Sequence, residues 1–523
     1  MRLRRCASSC LAALALVAAP AAAQSASFPV QDPVLQRLWR LGMDSSQVAA
    51  YAQALTDSIG PRLTGSPGQK AGNEWLQAQY RKLGIPARAE RYGSWRGWRR
   101  GISHVDLVAP RVRSLDARLM AWSPPTKGRV EAPVVLLPEL ADSAALGGWL
   151  AQAKGKFVLV SFPQPSCRPD SSYKEFALPA TWERHLASRD SAQKAWDAKV
   201  ERLGGTARLH QRIAEAGARG LLTTRWSGGW GAERIFGTRV ERAPVFDVGC
   251  EDYGLLARLA ANGQGPVIRA EGDAQALGEV PVFNVIGEIK GSEKPDEYVM
   301  MSAHFDSWDG ASGATDNATG TVTMLEAMRL LKQAYPQPKR TILVGHWSGE
   351  EQGLNGSRAW AADHPEVVKG LQALFNQDNG TGRVQTVSMQ GLTGAGEAMG
   401  RWFARLPTEL TEGIKLQIPG TPGAGGSDYA AFVCYGAPAF SLSSLPWEYF
   451  TYTWHTNLDT YDKIVLDEVK ANATLTAMLV YLAAEDPATV ARGQRVLPAD
   501  STGAARAWPT CQKPARASSE STR

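Results

Sequence analysis

The chain has 523 residues, 44% hydrophobic and 21% charged, which suits two or three globular domains with a sizeable core. Its formal charge is +6, and subtracting Arg2, Arg4 and Arg5 of the leader described next leaves +3. No Lys/Arg-rich block is interleaved with aromatic residues, so a nucleic-acid partner is not expected.

The N-terminus reads Met1-Arg-Leu-Arg-Arg5, then an apolar stretch over 10–19, then Ala21-Ala22-Ala23-Gln24. A positive segment, a short apolar segment and an Ala-x-Ala site describe a secretory signal peptide over residues 1–23. Cys10 precedes the apolar stretch instead of following it, which argues against a lipid anchor there. The apolar run is too short for a bilayer and no later one reaches about 18 residues, so no membrane span is expected. The chain is therefore expected to be exported (periplasmic or secreted) after cleavage near Ala23. Cys167, Cys250, Cys434 and Cys511 then remain, and export permits disulfides in any of three pairings or buried free thiols. None sits in a Cys-x-x-Cys or beside a histidine, so neither a cysteine metal site nor a cysteine nucleophile is expected.

Residues 45–83 read as helical, broken by the loop Gly60-Pro-Arg-Leu-Thr-Gly65-Ser-Pro-Gly68. Apolar runs at 282–289, 298–303, 341–346, 373–376 and 437–442 read as buried strands, with helical patterns at 320–333 and 357–363. This alternation predicts an α/β layer, a mixed and largely parallel central sheet with helices on both faces. Between residues 94 and 275 short β-like runs dominate, at 134–137, 156–161, 220–223 and 243–246. They predict a separate β-rich domain inserted between two parts of the first, 24–93 and 276–487. Residues 488–523 are rich in Ala, Arg, Ser and Pro without periodicity and predict a disordered tail.

The candidate chemistry lies at the ends of the predicted strands. His304 and Asp306, in Ser302-Ala-His-Phe-Asp306, stand two apart and face the same way, so an imidazole could hold a metal while the carboxylate orients it. Asp316 lies in Gly313-Ala-Thr-Asp-Asn-Ala-Thr-Gly320, where a helix N-cap is the competing reading. Glu350-Glu351 follow Gly349 at the end of an apolar strand. Two adjacent carboxylates there repel each other and lose solvation unless a cation compensates. One could bind metal while its neighbour serves as general base. Asp378 is the next carboxylate at a strand end, and His455 is the single histidine of the C-terminal 150 residues. Together these supply what two neighbouring divalent metals need: a shared carboxylate, a histidine and a carboxylate for each, and one free carboxylate.

The order His-x-Asp, Asp-Asn, Glu-Glu, Asp, His resembles the co-catalytic di-zinc exopeptidase family of bacterial aminopeptidases and glutamate carboxypeptidases. Thr56-Asp-Ser-Ile-Gly-Pro-Arg-Leu-Thr-Gly-Ser-Pro67, His304-Phe-Asp-Ser-Trp-Asp309, Glu350-Glu-Gln-Gly353 and Gln377-Asp-Asn-Gly-Thr-Gly382 are most similar to its plasma glutamate carboxypeptidase branch. The likeness covers about residues 40–485 and implies that the insert is a protease-associated (PA) domain. It also implies two Zn2+ ions, one held by His304 and Asp378, the other by Glu351 and His455, with Asp316 bridging. Glu350 would be the general base and Asp306 would orient His304. Relatives place a tyrosine before the last histidine to steady an oxyanion. Trp454 stands there instead, leaving Tyr452 or Tyr429 as substitutes. The activity implied is hydrolysis of dipeptides or short peptides, with an aminopeptidase as the alternative and a possible homodimer as the assembly. A single-zinc glutaminyl cyclase needs fewer ligands, and a non-catalytic binding protein of this fold would have lost ligands that are all present here.

Overall fold

The computed structural model describes residues 27–499 and 503–521; the expected leader lies outside them. One sheet path runs in the order Lys415–Gln417, Val384–Ser388, Ala439–Ser444, Leu371–Asn376, Lys294–His304, Arg340–Trp347 and Val267–Ile289. The four strands from Ala439–Ser444 to Arg340–Trp347 are parallel, and Val384–Ser388 and Val267–Ile289 flank them antiparallel. All eight residues of Arg340–Trp347 are buried, as expected of a strand covered on both faces. The first four apolar runs fall on these strands, and the fifth, 437–442, overlaps Ala439–Ser444 from its third residue on. Alternation sends Val299, Met301 and Ala303 to one face, under the helices Thr319–Ala334 and Leu466–Glu485. Met300 goes to the other face, with Trp360 and Phe432 of the helices Asn355–Asp363 and Ala430–Val433. The fold is thus a mixed α/β layer with a largely parallel centre. Because its central strands are parallel, His304, Trp347 and Asn376 end on one edge, where such sheets collect ligands.

The expected boundaries at 94 and 275 fall inside a long two-stranded ribbon. Ala87–Ala109 pairs antiparallel with Val267–Ile289, from Ala87 opposite Gly287 to Ala109 opposite Val267. Beyond it the sheet continues through Val130–Leu136, Phe157–Leu159, Gly220–Thr223, Val245–Val248 and Ala117–Leu119. This region has hydrophobic clusters of its own, around Phe157, Leu159 and Phe246 and around Leu146, Leu209 and Ile213. It is also richer in helix than its sequence suggested, with Ser143–Ala153, Pro179–Arg202, Thr206–Glu215 and Cys250–Ala261. The longest, Pro179–Arg202, buries only Lys199, so it carries no apolar stripe for a periodicity argument to find.

The expectation of a disordered tail is not met over residues 503–521. Cys511 is bonded to Cys434, as Cys167 is to Cys250. Trp508 donates its indole N–H to Val433 O at 2.8 Å, and Ala515 N donates to Asn355 Oδ1 at 2.8 Å. A segment too polar to make a core is held instead by one covalent bond and by hydrogen bonds from its side chains and backbone, none of which composition reports.

Candidate active site

The loop 60–66, between the helices Ala54–Ile59 and Pro67–Lys82, passes beneath the strand ends. Arg62 is fully buried and donates to the carbonyls of Gly60, Phe305, Ser312 and Gly313, tying this loop to both segments that carry His304 and Asp316. Burial pulls its pKa down to about 10, opposed by Asp459, Asp306 and Asp316, so it remains a cation behind an acidic cluster.

His304 ends its strand with 1% of its surface exposed. Its Nε2 lies 3.1 Å from Asp378 Oδ1 and 3.2 Å from Asp316 Oδ1. His455 presents Nε2 to Glu351 Oε2 at 2.8 Å and to Asp316 Oδ2 at 3.2 Å. Asp316 therefore turns one oxygen to each imidazole. Five residues separated by up to 151 positions meet as two overlapping triads, His304/Asp316/Asp378 and Asp316/Glu351/His455, each with ligand atoms within 4.8 Å of one another. Glu350 lines the adjoining cavity of ≈ 1200 Å³ and belongs to neither triad.

Local structure explains each placement. Gly349 adopts φ +67°, and a Cβ there would meet the Tyr92 hydroxyl at 2.4 Å, so only glycine makes the turn that presents Glu350-Glu351. The Asp306 carboxylate accepts from Glu350 N at 3.2 Å, Glu351 N at 3.3 Å and the Thr64 hydroxyl at 3.2 Å. What meets His304 Nδ1 most closely is the Asp306 backbone carbonyl at 3.0 Å, with the carboxylate at 3.7 Å. Asp306 thus fixes the glutamate turn with its side chain and the imidazole mainly with its main chain. Asp316 does not cap the following helix, because Asn317 Oδ1 accepts from Gly320 N instead (3.0 Å). The Asp316–Asn317 peptide is cis.

Sequence reasoning missed two buried carboxylates, both in loops without a recognisable pattern. Asp459 accepts from Thr315 N at 2.7 Å and Asp316 N at 3.0 Å, so it couples the His455 loop to the Asp316 loop. Replacing it with Asn would turn an amide N–H toward one of those donors. Metal affinity in Asp459→Asn is expected to fall about 10–100-fold with stoichiometry kept. Metal titration followed calorimetrically checks this, and an unchanged affinity would mean that the Asp316 loop holds its shape alone. The second is Asp428, fully buried beside Glu350 and Asp378, with neither oxygen hydrogen-bonded. Ser357 faces it but donates to Leu354 O instead.

Residues 233–236 of the inserted region reach the His455 loop. Ile235 N donates to His455 O at 2.7 Å, Asn457 N to Glu233 O at 3.0 Å, and Arg234 Nη1 to Trp454 O at 3.2 Å. Trp454 stacks on the His455 ring at 4.0 Å between centroids, and the Arg234 guanidinium lies over the Trp454 ring at 4.5 Å. Of the tyrosines considered, Tyr429 donates to Gly425 O at 3.1 Å and Tyr452 packs against Gly229. Tyr449 is the tyrosine lining the cavity.

The electrostatics fit a cation-binding centre. Burial raises Glu350 well above the carboxylate range, with Asp378, Asp428 and Glu351 adding to the effect of burial and His304 opposing it. Burial likewise brings Glu351, Asp428 and Asp459 to about 7. For His455, burial alone would lower the pKa, but Glu351 and Asp316 outweigh it and raise it to about 10. Carboxyls that would rather be protonated and imidazoles that would rather be charged both report a deficit of positive charge. Glu351 Oε1 is buried without a hydrogen-bond donor. Imidazole nitrogens and carboxylate oxygens around a shared aspartate suit divalent zinc.

Residues 284–480 match the model of peptidase family M28. Over that stretch the chain is similar to the M28 peptidases. Carboxypeptidase Q of Rattus norvegicus is 25% identical over 435 residues, 82% of this chain and 84% of that protein. The Homo sapiens protein of the same name is 24% identical over 441 residues, again 82% and 84%. Among solved structures, a peptidase M28 precursor from Shewanella amazonensis superimposes with TM-score 0.63 at 24% identity, covering 89% of this chain and 98% of that one. A zinc aminopeptidase from Bacillus subtilis gives TM-score 0.52 at 20% identity, covering 85% and 97%. These two structures share the fold.

Proposed function

We propose that the protein is an exported zinc-dependent exopeptidase that hydrolyses dipeptides or short peptides in the manner of carboxypeptidase Q. The convergence of His304, Asp316, Glu351, Asp378 and His455 carries this reading. Similarity to carboxypeptidase Q extends over most of both chains and favours the carboxypeptidase side of it. Export is supported by the leader sequence and by two disulfides, which form in oxidising compartments. None of the described helices is long and apolar enough to cross a membrane.

His304 and Asp378 would hold one zinc, Glu351 and His455 the other, with Asp316 shared. When bound, such a pair polarises the scissile carbonyl and eases deprotonation of water. Glu350, outside both triads and on the cavity wall, accepts the proton of the attacking water and returns it to the leaving amine. Asp306 keeps Glu350 and Glu351 in register through their amide N–H groups. Tyr449, buried beside Asp316 and Asp378, supplies the phenol for the tetrahedral oxyanion, in place of the tyrosine that Trp454 replaces.

The test is a panel of free, N-acetylated and C-amidated dipeptides on zinc-loaded protein. The proposed activity requires hydrolysis of free and N-acetylated substrates and loss of it on amidation. A requirement for the free amine instead would make the enzyme an aminopeptidase, and no hydrolysis of any member would leave a binding protein.

A further inference from the structure

The acidic floor of the cavity needs a positive group to receive the carboxylate end of a substrate, and the C-terminal segment supplies one. From Trp508 the chain leaves the disulfide at Cys511 and runs along the cavity, lining it with residues 512–516. It is fastened again downstream. Ser94 N donates to Arg516 O at 2.8 Å, Arg516 Nη2 pairs with Asp363 at 2.7 Å, and Arg239 Nη2 donates to Ser521 O at 2.5 Å. The segment is therefore a strap tied at both ends, touching the sheet domain, the ribbon and the inserted region. A peptide continuing far past the scissile bond on this side would run into it.

Three basic residues line the same cavity: Arg358, Lys513 and Arg516. Arg358 donates to Gly353 O at 2.8 Å, and Arg516 is committed to Asp363 and to Tyr92 O. Glu520, also on the wall, accepts from Arg516 N. Lys513 is exposed and makes no ion pair among the described residues, so its charge is available to a ligand. We propose that the strap forms one wall of the substrate site and that Lys513 receives the free α-carboxylate of a short peptide. This rests on the carboxypeptidase reading above and goes beyond it by naming the residue that selects the substrate end. Lys513 lies outside residues 284–480, the stretch that matches the M28 model.

The experiment compares zinc-loaded wild type with Lys513→Ala, Lys513→Glu and Lys513→Arg, each on one dipeptide with a free carboxylate and on its C-amide. An exposed lysine can be replaced without disturbing the fold. Losing a charge-assisted contact made equally in ground and transition states should raise KM for the free dipeptide about tenfold or more, with kcat kept. Lys513→Glu should raise it further, Lys513→Arg should restore it, and the residual rate on the amide should not move. Equal changes on both substrates, or none on either, would overturn the assignment. If wild type itself cleaves free and amidated dipeptides alike, the carboxypeptidase reading fails and takes this assignment with it. If wild type demands the free carboxylate and the variants keep that demand, the reading stands and Lys513 alone is excluded.

Discussion

Glu350→Gln is expected to fold and bind zinc but to lose about 10²–10⁴-fold in kcat, the usual worth of a general base. The amide keeps the size of the side chain and cannot accept a proton. The backbone turn should survive, since Asp306 holds residue 350 through its main-chain N–H and not its side chain. Glu351→Gln is expected to behave differently, because Glu351 Oε2 stands 2.8 Å from His455 Nε2 within a triad. Its first effect should be weaker metal binding, with part of the rate recovered at high zinc. Steady-state kinetics over a zinc titration separates the two. If Glu351→Gln were the variant with full metal content and no turnover, the roles of the pair would be exchanged.

Much of the site could be read from the sequence because its signals are local. A fully buried parallel strand is an unbroken apolar run, and a carboxylate or imidazole placed just past such a run stands at the sheet edge where ligands collect. That logic found His304, Glu350, Glu351 and Asp378, and the motif order supplied Asp316 and His455. What escaped depends on contacts distant in the chain. Asp459 matters because its carboxylate meets amides 143 and 144 residues away, and nothing around it in sequence marks that meeting. Asp428 is similar: it lies in a glycine-rich loop that reads as surface until the fold buries it. Asp306 was found, but its carboxylate turned out to serve the glutamate turn more closely than the imidazole. The tail was misjudged because a disulfide can order a segment whose composition would not. The helix Pro179–Arg202 lacks the apolar stripe that makes helices visible.

Removing metal is expected to abolish activity, and about two equivalents of zinc are expected to restore it. Saturation at one equivalent with a full rate would favour a single-zinc enzyme such as a cyclase, and full activity under a strong chelator would end the metallopeptidase reading. The metal-free protein should also betray its charge deficit through the pH dependence of its stability. Glu350 is raised well above its usual range, and Glu351, Asp428 and Asp459 to about 7, so the folded state binds protons that the unfolded chain has released. His455, at about 10, and His304 have the same sign. Groups raised on folding contribute stability that is present below their unfolded pKa and lost as pH rises through the folded one. Asp316 is shifted the other way, but its contribution changes only below about pH 4, the unfolded aspartate range. Between about pH 5 and about pH 9 the metal-free protein should therefore lose stability steadily. The zinc-loaded protein should not, because deprotonated ligands bind metal more tightly as pH rises. Thermal unfolding at about pH 6 and pH 8.5, with and without chelator, checks the sign. A metal-free protein that grows more stable toward pH 8.5 would mean that these carboxyls do not crowd one another as the geometry requires.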